Sequence, residues 1–231
     1  SGDLPITGAA CDSRSVAPGN LFCCKGASFD PSYLSSARAA GAVAYLADEG
    51  RAPALAAAEP GVPALVTSDL RRAMALASAE AFGHPDRDLR VVGITGTKGK
   101  STVASMLPSF VDAGDPYSSA AVMGSIETYD GVERFESHNT TPEAPDLWRH
   151  LANARDSGRG TVIMEVSSQG LKYDRVLGLH LAMGCFLNIG RDHISPVEHP
   201  TFADYFASKL RIFELCETAV VNLDTDHLDE V

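Results

Sequence analysis

The sequence predicts an α/β protein of two domains, a small one over residues 1–88 and a parallel-sheet domain over 89–231. Short apolar runs of strand length alternate with helical patterns along the whole chain. A polar stretch at 85–89 interrupts that alternation and marks the boundary. Beyond it a glycine-rich segment lies between a strand-like run and a helical one, the order strand, loop, helix that builds a phosphate-binding turn.

In the first domain, turn residues at Cys11-Asp12-Ser13-Arg14 and Pro18-Gly19-Asn20 lead into a strand at 21–24. Residues 33–40 read as a helix that stops at Gly41, and 42–46 as a buried strand. A strand at 64–67 follows, then Ser68 or Asp69 as the cap of an alanine-rich helix over 70–82, which Gly83-His84-Pro85 ends. In the second domain the strands fall at 90–95, 161–166, 182–187 and 219–222, apolar enough for a parallel sheet buried on both faces. A helix over 201–214 carries Phe202, Tyr205, Phe206, Leu210 and Phe213 as one apolar stripe.

Composition narrows the function classes. With 45% hydrophobic and 21% charged residues the chain is an ordinary globular protein, neither disordered nor membrane-embedded. No apolar run approaches the roughly 18 residues of a spanning helix, and no basic-then-apolar leader opens the chain, so a cytoplasmic monomer with no membrane partner is expected. The net charge of −11 argues against nucleic acid as a partner. Five cysteines without a CxxC pair predict reduced, mostly buried thiols.

The loop reads Gly96-Thr97-Lys98-Gly99-Lys100-Ser101-Thr102. Its glycines let backbone N–H groups face a phosphate, Lys100 supplies a point charge, and Ser101 can ligate Mg²⁺. Ile94 stands where the common phosphate loop has its first glycine.

That short loop resembles the Mur ligases and the related folylpolyglutamate synthetases. Asp12-Ser13-Arg14, Asn139-Thr140-Thr141-Pro142-Glu143, Glu165-Val166-Ser167-Ser168, Arg191-Asp192-His193 and the 205–209 helix with Lys209 are similar, in this order, to motifs of the tripeptide-forming Mur ligases. Gln169, Tyr173 and Ser195 depart from that pattern. The resemblance implies ATP-dependent addition of a free amino acid, the third, to UDP-N-acetylmuramoyl-L-alanyl-D-glutamate through an acyl phosphate, in peptidoglycan precursor synthesis. It implies ATP and Mg²⁺ as cofactors, with Lys100, Glu165, His193 and Lys209 catalytic, and the loop from Gly96 to Thr102 on the nucleotide. Ser101, Glu165 and His193 would hold metal, and Lys209 would be carbamylated. Ser13, Arg14, Asn139, Thr140, Thr141, Ser167 and Arg175 would bind the UDP-linked dipeptide. Plainer readings stand beside these: Glu165 capping a helix, Lys209 solvated, Arg175 a surface charge, Ser13 a turn residue. The family's C-terminal domain, with its Asn-Pro-Arg motif, has no counterpart in the chain, so a part of a longer protein is expected, inactive alone. Three rivals remain: a Mur ligase of another step, a folylpolyglutamate synthetase-like enzyme, and a non-catalytic ATP-binding module.

Overall fold

The computed structural model describes residues 4–114, 120–192 and 194–231. Two compact units emerge, Ser1–His84 with Ala144–Arg149, and Pro85–Glu143 with His150–Val231.

The first unit is a four-stranded parallel sheet in the order β1-β2-β3-β4, formed by β1 (Gly8–Ala10), β2 (Asn20–Cys23), β3 (Ala44–Asp48) and β4 (Ala64–Thr67). Side chains alternate across a strand. Phe22 and Tyr45 therefore pack on one face with Leu34 of α1 (Ser32–Ala39) and Leu55 of α2 (Ala52–Ala58). Leu21, Cys23 and Leu46 pack on the other face with Met74 of α3 (Leu70–Ala81). Burial on both faces explains why β2 and β3 read as unbroken apolar runs. The cap of α3 is Asp69, whose carboxylate accepts from the Arg72 N–H at 3.1 Å. Of the cysteines, Cys23, Cys24 and Cys185 are buried, and Cys11 and Cys216 half-buried. No helix among the described residues is long and apolar enough to cross a membrane.

The second unit is built on seven strands in the order β11-β10-β5-β9-β6-β7-β8. They are β5 (Arg90–Thr95), β6 (Ala121–Met123), β7 (Glu127–Tyr129), β8 (Arg134–Glu136), β9 (Thr161–Glu165), β10 (Leu181–Phe186) and β11 (Cys216–Val221). The five strands from β11 to β6 run parallel, whereas β7 and β8 pair antiparallel. This differs from the all-parallel expectation, because β7 and β8 are three-residue strands without an apolar run and carry no periodic signal. Burial on both faces is also confined to the centre: at the edge, β11 leaves 217–220 exposed.

Helix α4 (Lys100–Gly114) follows the glycine loop directly. Two further helices, α5 (Ala144–Asp156) and α6 (Ser168–Lys172), carry no counterpart in the sequence reading. The expected 201–214 helix divides into α7 (Phe202–Leu210), capped by the Thr201 side chain, and a tighter turn at Arg211–Glu214.

Candidate functional site

The strand ends of β5, β9 and β10 deliver the site, because adjacent parallel strands bring their carboxyl ends to one edge. From β5 the chain turns through Gly96 to Gly99 into α4. Gly99 has φ +85°, a conformation a side chain disfavours, and its carbonyl accepts from the Val103 N–H at 3.0 Å to begin the helix. The loop is clamped from the end of β10. Thr97 N–H donates to the Asn188 carbonyl at 3.0 Å and Lys98 N–H to Asn188 Oδ1 at 2.9 Å. The Thr97 hydroxyl lies 3.0 Å from Tyr205 OH of α7 and accepts from Gly190 N–H at 3.0 Å. Thr102 lies exposed on the first turn of α4.

Two lysines converge on one loop carbonyl. Lys100 Nζ donates to the Gly96 oxygen at 2.9 Å, and Lys209 Nζ donates to the same oxygen at 2.8 Å. Lys209 is 1% exposed, so it is no solvated helix lysine. Burial, and then the nearby Lys100 charge, bring its ammonium down to about 7. Burial also lowers Lys100. Lys98 is exposed and paired with Asp192 at 2.7 Å.

Glu165 ends β9 at 1% exposure. It does not cap a helix. Ser101 Oγ donates to its Oε2 at 3.0 Å, Ser125 N–H donates to Oε1 at 2.7 Å, and Ser125 Oγ lies 3.2 Å from Oε2. A Cβ on Gly124 would stand 2.5 Å from Oε1, so only glycine lets the 124–125 backbone reach the carboxylate.

Around them Thr141 is buried, its hydroxyl donating to the Glu165 carbonyl at 3.0 Å and accepting from Ser167 N–H at 2.9 Å. Arg175 donates to the Thr141 carbonyl at 3.0 Å and pairs with Glu143 at 2.9 Å, with side-chain exposures of 14% and 12%. It is not a surface charge. A cavity of about 250 Å³ is lined by Lys100, Asn139, Thr140, Ser167, Arg175 and Lys209, together with Ser168, Gln169 and Glu198. Six expected residues thus share one space, and Ser101 and Glu165 line a neighbouring cavity of about 300 Å³. His193 lies outside the described residues. Ser13 and Arg14 belong to the first unit, on a turn after β1 where Arg14 Nη2 meets Asp12 at 2.5 Å.

Sequence reading missed Ser125 and Asn188, and gave no role of their own to Glu143 and Tyr205, which it met only inside motifs; the partners of all four are distant in sequence. It also missed Asp130, Glu133 and His150, whose ligand-type atoms lie within 4.8 Å of one another. Asp130 is already saturated there. Its Oδ1 accepts from the N–H groups of Val132 and Glu133, and its Oδ2 from Asn153 and the His150 ring. The cluster locks a turn.

The pattern of the Mur ligase middle domain matches residues 94–231, more than half of the chain. The chain belongs to the Mur ligase family. It is 42% identical over 230 residues to a UDP-N-acetylmuramyl-tripeptide synthetase of Bifidobacterium longum, covering 99% of this chain and 43% of that one. A UDP-N-acetylmuramoyl-L-alanyl-D-glutamate--L-lysine ligase of Streptococcus suis is 38% identical, with 99% and 46% covered. The solved structure of a UDP-N-acetylmuramoyl-L-alanyl-D-glutamate--2,6-diaminopimelate ligase superposes with a TM-score of 0.74 at 27% identity, over 98% of this chain and 45% of that one. The MurF ligase from Thermotoga maritima in complex with ADP shares the fold, at a TM-score of 0.61 and 17% identity. The chain spans less than half the length of the relatives it matches.

Proposed function

We propose that the protein carrying this chain is an ATP-dependent ligase that adds an amino acid to UDP-N-acetylmuramoyl-L-alanyl-D-glutamate in peptidoglycan precursor synthesis in the cytoplasm. The observation that carries this is the convergence of Lys100, Lys209, Thr140, Ser167 and Arg175 on one cavity at the end of a phosphate loop. A free carboxylate is a poor electrophile, so amide formation needs it phosphorylated first. The site's work is then positioning and charge neutralisation.

Each residue has a part in that work. The N–H groups at the start of α4 and Lys100 would hold the nucleotide phosphates, while Arg175, preset by Glu143, would face the dipeptide carboxylate with Thr140, Asn139 and Ser167. Thr141 fixes the end of β9 on which Glu165 stands. Ser101 and Glu165 present adjacent oxygens, the hard donors that Mg²⁺ takes, so they would hold one ion, and His193 would serve a second. Bound there, Mg²⁺ supplies charge neutralisation at the phosphates. Lys209 is suited to carbamylation because burial favours its neutral amine, the form that adds CO₂. Its carbamate would replace a cation by an anion beside Lys100. Ser13 and Arg14 would serve the uridine end from the first unit.

The full-length protein, given ATP, Mg²⁺, the UDP-linked dipeptide and either lysine or diaminopimelate, is expected to yield the tripeptide by mass with equimolar phosphate. ATP turnover without a new amide would overturn the reading in favour of a nucleotide-binding module.

A further inference from the structure

Behind the cavity lies a hydrogen-bonded chain for which the proposed reaction has so far given no use. Ser168 Oγ is 2.9 Å from His199 Nε2, and His199 Nδ1 is 2.6 Å from Asp204 Oδ2. The three come from the start of α6, the loop before α7, and α7 itself. His199 is fully buried, whereas Ser168 is 5% exposed and lines the cavity shared by Lys100, Arg175 and Lys209.

We propose that Ser168, His199 and Asp204 form a proton relay that receives the proton shed by the incoming amine as the amide bond forms. This rests on the ligase reading above. Lys172, 2.6 Å from the same Asp204 oxygen, keeps that carboxylate ionised, with His199 adding to the effect. An ionised carboxylate only accepts, so His199 Nδ1 carries the hydrogen and Nε2 is left bare to accept from the Ser168 hydroxyl. Ser168 oxygen then offers lone pairs alone to a cavity whose other polar groups include the donors Lys100, Asn139, Arg175 and Lys209. Base behind hydroxyl and carboxylate behind base is the arrangement that activates a hydroxyl. An acyl-serine is not needed here, because the acyl phosphate already presents an activated carbonyl.

The amine nitrogen attacks the acyl carbon, the C–N bond forms, and the C–O bond to phosphorus breaks with its electron pair leaving on phosphate. The nitrogen's proton passes to Ser168 Oγ as the serine's own proton passes to His199 Nε2. The imidazolium faces Asp204, with Lys172 on the same oxygen, and the edge-on ring of Tyr205 at 5.1 Å. Once the product leaves, the proton goes back through Ser168 to the cavity by the reverse of the same two transfers.

The test uses the full-length ligase and two nucleophiles, the amino acid and hydroxylamine, which attacks as a free base and needs little help. Ser168→Ala and His199→Gln should lose about 100-fold or more in kcat with the amino acid. KM values should be little changed, hydroxamate formation should stay within a few-fold of wild type, and Ser168→Thr should restore the amino-acid reaction. Hydroxamate formation also reports an intact fold. Equal loss with both nucleophiles would make the chain a structural brace and overturn the relay, as would an unaffected amino-acid rate in Ser168→Ala. A wild-type enzyme that forms neither product would remove the ligase reading and the relay with it.

Discussion

Arg14 and Arg175 are both candidate anion-binding arginines, one in each unit, and the protein holds them differently. Arg14 has an 87% exposed side chain and closes onto Asp12, two residues away. Arg175 is nearly buried, fixed between Glu143 and the Thr141 carbonyl. The contrast extends to the neighbours of each. The Asp12 turn is tied by local bonds, whereas the second unit ties Ser101 to Glu165 across 64 residues and Lys209 to Gly96 across 113. An exposed ion pair is worth little, so Arg14 can exchange Asp12 for a ligand at small cost. A buried network is preorganised, and losing one member leaves the others uncompensated.

Lys100→Ala should show the largest effect. It is expected to reduce ATP affinity in the full-length protein by about 100-fold or more, as a lost charge-assisted contact to phosphate allows, with the melting transition preserved. Wild-type affinity would mean the loop does not hold the nucleotide. Glu165→Gln keeps the carboxamide within reach of Ser101 and Ser125 but removes the charge. Ligation should fall by about 10²-fold or more, partly recovered by raising Mg²⁺, and an unchanged rate would detach Glu165 from the metal.

Lys209 gives a pH signature. Unfolded, its amine binds a proton up to about the ordinary 10.5, whereas folded it sheds it above about 7. Between those values the unfolded state holds more protons, so stability should rise with pH across that window. Urea midpoints in CO₂-free buffer should show this slope for wild type and a weaker one for Lys209→Met, and identical slopes would contradict the burial argument. Smallest of all, Arg14→Ala should raise KM for the UDP-linked substrate by no more than about tenfold, leaving kcat and melting temperature as they were. A loss as large as that of Lys100→Ala would erase the contrast between the units.

What was legible in the sequence follows the same divide between local and distant. The glycine loop, the Glu165 strand end and Lys209 stand in contiguous motifs, and most strands of the parallel core are apolar runs. Ser125, Asn188 and Tyr205 act through partners tens of residues away, which no spacing reveals. The short β6 to β8 strands carry no period. Helix α5 was legible in principle: Pro145 near its start and buried Leu147, Trp148, Leu151 and Ala154 at helical spacing were present in the sequence.

The central claim is that this site activates a carboxylate by phosphorylating it, and oxygen tracing tests that most directly. The full-length protein would be given ATP, Mg²⁺, an amino acid and the UDP-linked dipeptide with its terminal glutamate carboxylate labelled with ¹⁸O. The account predicts that each new amide is accompanied by one labelled oxygen in the released phosphate. Tripeptide formed with unlabelled phosphate would contradict it, because the carboxylate oxygen would never have joined phosphorus.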